Sequence, residues 1–308
     1  MFQSKSLNRP GVIALQNLPP FKILAALLAI YLIWGSTYLA ITYAIESMPP
    51  FMMASLRFLI AGTLLFTFLV LRGEAIPTRR QWRNAAIIGV LLAGIGQGGV
   101  TFAEQWVTSG LTALAVATIP LWSAVFNSFF ERKPTRPEGV GLAMGMVGVI
   151  VLNLGSDLWA EPAGAIALII APMSWAFGSM WSRKLDLPDG LMASATMMLV
   201  ASFPMGLVSI LRGEQITGTV HLDSLLAFGY LIIFGSIFAF STYQYLLKNA
   251  QAMVATSYAY VNPVIAVFLG WLIVNEKLTL QTFVAAALIL TAVFIITTSK
   301  SKPKENDQ

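Results

Sequence analysis

Hydrophobic positions run along this chain in long, nearly unbroken blocks, and polar positions are confined to short breaks between them. A transmembrane helix needs about 20 mostly apolar residues. Measured against that length, the blocks predict ten helical spans, at 21–44, 50–71, 84–105, 109–130, 138–155, 163–182, 190–211, 223–247, 252–274 and 279–299. Most are bounded by Pro, Gly or charge clusters, which end helices. Residues 1–20 hold no uninterrupted apolar run, being punctuated by Pro10, Pro19 and Pro20. A cleaved signal peptide is therefore not expected, and the first span reads as a retained anchor. The pattern predicts an all-α membrane protein whose immediate surroundings are the lipid bilayer.

Composition supports that class. Of 308 residues, 57% are hydrophobic and 11% charged, against about 25% charged in an average soluble domain. So few charges cannot coat a soluble enzyme of this size or build a nucleic-acid interface. The net charge of +5 takes its meaning from where the basic residues fall. With the N-terminus inside, the cytoplasmic segments hold Lys5, Arg9, Lys22, Arg72, Arg79, Arg80, Arg83, Arg132, Lys133, Arg136, Arg183, Lys184, Lys248, Lys300, Lys302 and Lys304. The outer loops hold only Arg212 and Lys277, and Arg57 lies within a span. This asymmetry predicts both termini in the cytoplasm. Cysteine is absent and His221 is the single histidine, so no metal site or cofactor is expected.

Ten spans can be two copies of five, and an odd number per copy inverts the second copy in the membrane, as in many secondary transporters. Residues 109–135 read SGLTALAVATIPLWSAVFNSFFERKPT, and 252–279 read AMVATSYAYVNPVIAVFLGWLIVNEKLT. Each has small residues, a mid-span proline (Pro120, Pro263), an apolar half-helix, and then Glu with a basic residue and Thr. IWGSTYLA at 33–40 echoes SWAFGSMW at 174–181; both set a Trp among small and hydroxyl residues.

These features resemble the EamA-like family of the drug/metabolite transporter superfamily. The resemblance is carried by Trp34-Gly35-Ser36-Thr37 in span 1, Arg57-Phe58 in span 2 and Phe102-Ala103-Glu104 closing span 3. The Pro120 and Pro263 spans, which run on to Glu131 and Glu276, complete it. It covers about 21–299. It implies a cytoplasmic tail at 1–20, five-helix repeats at 21–155 and 163–299, and a tail at 300–308. It further implies a bacterial inner-membrane permease, with export of amino acids, related metabolites or drugs as the expected activity.

The candidate pathway residues follow from chemistry inside the spans. Arg57 is a cation within a helix, where insertion costs about 2.5–3.5 kcal/mol, so it should face protein or water. There it could attract a substrate carboxylate, with Glu104 as the candidate partner. Pro120 and Pro263 lack an N–H and displace the carbonyl four residues earlier, which offers Val116 and Ala259 as acceptors near mid-membrane. Trp34, Trp122 and Trp175 are too deep for an interfacial belt, and with Tyr38, Tyr258 and Tyr260 they suit the wall of an apolar or amphipathic cavity. Asn262 lies at a similar depth, and Ser36, Thr37, Gln97, Asn127, Ser174 and Gln244 could supply its oriented polar groups. Interhelical packing is the other reading of each. Gly94/Gly98 and Gly141/Gly145 form GxxxG pairs, which serve close packing within a chain or in a homodimer. An intramembrane enzyme would need a catalytic set inside the spans, and none is present; a structural or receptor-like membrane protein is the remaining alternative to a transporter.

Overall fold

The computed structural model describes residues 20–130, 135–153, 161–250 and 257–298, which are helical with no strand among them. The helices are α1 (Pro20–Ile45), α2 (Pro50–Leu71), α3 (Arg79–Ala103), α4 (Ser109–Val116), α5 (Ile119–Phe130) and α6 (Arg136–Asn153). After them come α7 (Pro162–Ser182), α8 (Gly190–Leu211), α9 (Leu222–Asn249), α10 (Tyr258–Val274) and α11 (Leu280–Thr298). Among the described residues, seven stretches are long and apolar enough to cross a membrane: α1, α2, α3, Ser109–Phe126, α7, α8 and α9. Val261–Val274 and Leu280–Ile295 are apolar but shorter.

The interruption expected at Pro120 within the span 109–130 takes the form of two helices. The backbone breaks at Ala117–Thr118, and Pro120 lies in the first turn of α5, where its missing N–H costs nothing. Pro263, by contrast, sits inside the unbroken α10.

Each helix divides into a lipid face and a protein face. In α1, Leu24, Leu28 and Leu32 are exposed at a spacing of four, while Ile30, Trp34 and Ile41 are buried. Exposed apolar rows of this kind suit contact with lipid. Glycines set the close crossings. A β-carbon on Gly62 of α2 would stand 2.8 Å from the Leu199 backbone nitrogen of α8, and one on Gly89 would stand 2.5 Å from the Met197 carbonyl. The GxxxG residues Gly98 and Gly145 face Met205 and Leu121 of the same chain.

The packing has a two-fold character. α2 lies on α8, α6 on α11, α1 on both α10 and α9, and α7 on both α5 and α3. α3 and α9 each carry a π-helical stretch, Val90–Gln97 and Leu231–Phe238. α2 and α8 both end in Leu-Arg-Gly-Glu, with Gly73 at φ 83° and Gly213 at φ 65°. The closing bonds match as well. Glu74 N donates to Leu69 O and Glu214 N to Ser209 O, both at 3.0 Å.

The loops gather at two ends of the bundle. Arg72, Arg79, Arg80, Arg83, Arg183, Lys184 and Lys248 mark the basic end, where Arg80 pairs with Asp186 (3.7 Å) and Asn84 Nδ2 donates to Asp186 O (2.8 Å). At the opposite end, Ser224 Oγ donates to Tyr43 O (2.7 Å) and His221 N donates to Ser47 Oγ (3.3 Å).

Candidate functional site

Four buried aromatic side chains meet at the centre of the bundle. Trp34 (α1) stands edge-on to Trp175 (α7) with centroids 5.7 Å apart, and edge-on to Tyr258 (α10) at 5.1 Å. Tyr243 (α9) closes the group, 5.1 Å from Trp34, 5.8 Å from Trp175 and 5.6 Å from Tyr258. Rings prefer such edge-to-face geometry, and a buried indole N–H or phenol O–H ordinarily finds a partner. Here two do not. Trp175 Nε1 and the Tyr258 hydroxyl lack any hydrogen bond of acceptable geometry, although the hydroxyl approaches both Tyr243 and Trp175. Trp34 Nε1 makes a long bond to Gly235 O at 3.4 Å.

Trp34, Trp175 and Tyr258 of the quartet border a cavity of about 20 Å³, lined also by Thr37, Tyr38, Gln97, Val116, Ile119 and Pro172. That is room for about one water. Five helices besides α1 reach it, and two of the irregular backbone stretches serve it. The π-helical stretch of α3 supplies Gly96 and Gln97, while the break between α4 and α5 supplies Val116 and Ile119. A β-carbon on Gly96 would come within 3.0 Å of the Trp175 ring, so glycine there lets α3 approach the indole. Ser174 Oγ donates to Leu91 O (2.8 Å) and fixes α7 to the same stretch. π-helical turns free backbone carbonyls and recur at functional sites.

Arg57 is buried beside this centre and does not line it. Its Nε donates to Ser236 Oγ at 2.7 Å, its guanidinium lies 4.9 Å from the Phe58 centroid, and Nη1 has no partner. A β-carbon on Gly235 would lie 3.1 Å from Arg57 Nη2 and 3.0 Å from Thr37 Cγ2. Gly235 is therefore the seam joining the cation to a cavity wall.

Glu104, also buried, accepts from Thr42 Oγ1 at 3.2 Å through Oε2, and Oε1 has no partner. Arg57 and Glu104 lie within electrostatic reach, yet no ion pair within 4.0 Å joins them. A second carboxylate at the opposite end, Glu276, is fully engaged. It accepts from Ser109 N (2.9 Å), Ser109 Oγ (2.6 Å) and Gly110 N (3.3 Å), capping α4. Asn275, at φ 55°, turns the chain to place it there.

Of the residues singled out in the sequence, Trp34, Thr37, Tyr38, Gln97, Trp175 and Tyr258 meet at the cavity. Ser36 does not. Its hydroxyl bonds back to Leu32 O and Ile33 O and meets Tyr230 OH at 2.7 Å, because it projects toward α9 instead. Trp122 is half-buried against the core around Trp34, and Pro120 is buried in the first turn of α5. Asn262 is buried with neither amide atom hydrogen-bonded. Pro263 leaves the Ala259 carbonyl without its helical donor. The side chain of Tyr260 and residue Glu131 lie outside the described residues.

The sequence reading missed Tyr243, Ser236 and Thr42. Tyr243 stands three residues from Phe240, both buried in α9, a spacing that in the sequence reads only as packing. Neighbouring Gln244, which drew attention by polarity, makes only a 3.8 Å contact to Met197 Sδ.

The chain matches the model of the EamA-like transporter family over residues 21–154 and again over 162–298. It is 47% identical over 286 residues, 92% of each chain, to "Uncharacterized inner membrane transporter YedA" of Escherichia coli K12. It is 27% identical over 297 residues to "Uncharacterized transporter YoaV" of Bacillus subtilis, covering 92% of this chain and 99% of the relative. A solved structure with 22% identity superposes with a TM-score of 0.64 over 90% of this chain and 97% of the other, a likeness of fold. An aromatic cavity at the centre of a helical bundle thus sits within two consecutive family matches, and the chain belongs to the EamA-like transporter family.

Proposed function

We propose that this multi-pass inner-membrane protein is a secondary exporter of small amphipathic metabolites, amino acids and drugs among them, working by alternating access. Ten spans, in two inverted five-helix repeats with both termini cytoplasmic, are part of the reading. The paired packing, the matched helix ends of α2 and α8 and the matched π-helical stretches support the inversion, and the Arg-rich loops support a cytoplasmic basic end.

One observation carries the function. An aromatic quartet holds unpartnered polar hydrogens, Trp175 Nε1–H and the Tyr258 hydroxyl, around a mid-bundle cavity. Buried donors left open are costly, and a solute with apolar bulk and a few acceptors would satisfy them. Arg57, with Nη1 open, would draw a substrate carboxylate. Glu104, with Oε1 open, would answer a substrate ammonium. A cavity of about 20 Å³ must widen to take such a solute, and the two halves rocking about it would do so while exposing it to each side in turn. No Gly-rich ATP-binding loop occurs in the sequence, so the reading takes a gradient as the energy source.

Efflux from proteoliposomes against a panel of amino acids, amphipathic metabolites and drugs, with and without a proton gradient, tests the reading. Accelerated efflux of at least one compound is expected. No efflux above empty vesicles for any compound would favour a structural or receptor-like role. A reporter fused after residue 308 should face the cytoplasm, and an outer location would break the ten-span topology.

A further inference from the structure

α2 and α8 end in the same Arg-Gly-Glu, and the two copies are engaged differently. At the opposite end of the bundle, Glu214 accepts from the α2 amides Met52 N (2.8 Å) and Phe51 N (3.4 Å). Arg212 reaches the same way. Its guanidinium lies 5.0 Å from the Phe102 centroid and 5.9 Å from that of Phe51, with Nε 3.9 Å from Glu214. Phe51 and Phe102 stack on each other at 5.1 Å. Carboxylate, guanidinium and rings together close α8 onto α2 and α3.

The copy at the basic end is idle. Arg72 folds back over Phe68 of its own helix, 4.8 Å from the centroid. Glu74 is exposed, and its carboxylate makes no hydrogen bond or ion pair. Its target in the two-fold scheme would be the first turn of α8, as Glu214 takes the first turn of α2. That turn has no side-chain cap, for Asp189 at the N-cap position makes none and pairs instead with Lys248 at 3.2 Å. An unengaged carboxylate and an uncapped helix start therefore face the same end of the bundle, while their counterparts are joined at the other.

We propose that Glu214 and Glu74 are alternating latches of the transport cycle. Glu214 holds the opposite end shut in the state seen here. In the other state Glu214 releases α2, and Glu74 caps α8 through Leu191 N and through Met192 N, which exchanges its present 3.2 Å bond to Asp189 O for the carboxylate, closing the basic end. A helix N-terminus favours a carboxylate through its open amides and its dipole, so each latch stabilises one state and exchanges with the other. The proposal rests on the alternating-access reading and assigns residues to its two closed states.

The natural absence of cysteine allows a direct test. A single thiol at the cavity, Gln97→Cys, is reacted with a membrane-impermeant thiosulfonate applied from either side, in right-side-out and inside-out vesicles. Glu214→Gln should raise the modification rate from the outer side by about threefold to tenfold, the size of a lost cap. Glu74→Gln should lower that rate by a similar factor. Because Glu74 is exposed here, its variant leaves the observed fold intact and keeps the test valid even if Glu214→Gln inserts poorly. Glu46→Gln and Asp223→Asn, exposed carboxylates at the same end as Glu214, should leave the rate unchanged. If Glu74→Gln reacts at the parent rate, or shifts in the same direction as Glu214→Gln, while the parent thiol still reacts from both sides, the latch is overturned and alternating access stands. If the parent thiol is never reached from one side, alternating access fails and the latch fails with it.

Discussion

Two carboxylates near the same end of the bundle are held in opposite ways. Glu276 accepts three donors from the start of α4, with Gly110 and Gly270 making room for it: a β-carbon on Gly270 would come within 2.4 Å of its Oε2. Glu104 is more deeply buried yet has one hydroxyl bond and one bare oxygen. A carboxylate whose lone pairs are used has its work inside the protein. A buried one left short is costly for stability, and that cost is understandable where a ligand completes it. Arg57 belongs with Glu104, since its Nη1 is also open, although the residue is packed on all sides.

Four outcomes would break or sharpen this contrast. The largest should come from the centre. Arg57→Ala and Trp175→Ala should each cut efflux by about tenfold or more, the effect of removing a buried charge or an aromatic wall, with normal membrane insertion. Normal efflux by both inserted variants would remove the site. Next, Glu276→Ala should destabilise the protein by about 1–3 kcal/mol, because three donors lose their acceptor, measured as a lower Tm in detergent. Gly270→Ala should follow in the same direction by pushing the carboxylate off its seat.

Glu104→Gln should do the reverse of Glu276→Ala. It should change efflux several-fold while leaving stability within about 1 kcal/mol of the parent, since it removes an incompletely satisfied charge. A large loss of Tm there would make Glu104 structural like Glu276. The smallest effect is expected from Tyr243→Phe. The hydroxyl lies 3.4 Å from Ser179 Oγ, a weak contact, so stability should fall by about 0.5 kcal/mol or less and efflux should persist if the ring alone forms the wall.

Much of the frame was legible in the sequence, because lipid imposes a length and an apolar composition on each span and the basic residues mark its ends. The break at Ala117–Thr118 was less so: Pro120 announced an interruption, but a kinked helix and two helices share that signature. Trp34, Trp175 and Tyr258 could be found by asking which aromatics are too deep for an interface. Tyr243 could not, since one tyrosine in an apolar helix reads as packing until its neighbours across the bundle are known. Ser36 shows the converse. It shares a motif with Thr37 but lies 100° around the helix, and that angle turns it toward α9. The partners of Arg57 and Glu104, namely Ser236 and Thr42, depend on interhelical register, which hydropathy does not encode.

The central claim is that the solute occupies the cavity between Trp34, Trp175 and Tyr258. The most direct measurement uses the single-thiol variant Gln97→Cys in proteoliposomes, with a compound identified by the efflux panel and a small membrane-permeant maleimide. The account predicts that the transported compound slows alkylation of the thiol in a concentration-dependent manner, while a compound that is not transported leaves it unchanged. Undiminished alkylation at saturating concentrations of a compound that the variant still exports would contradict it.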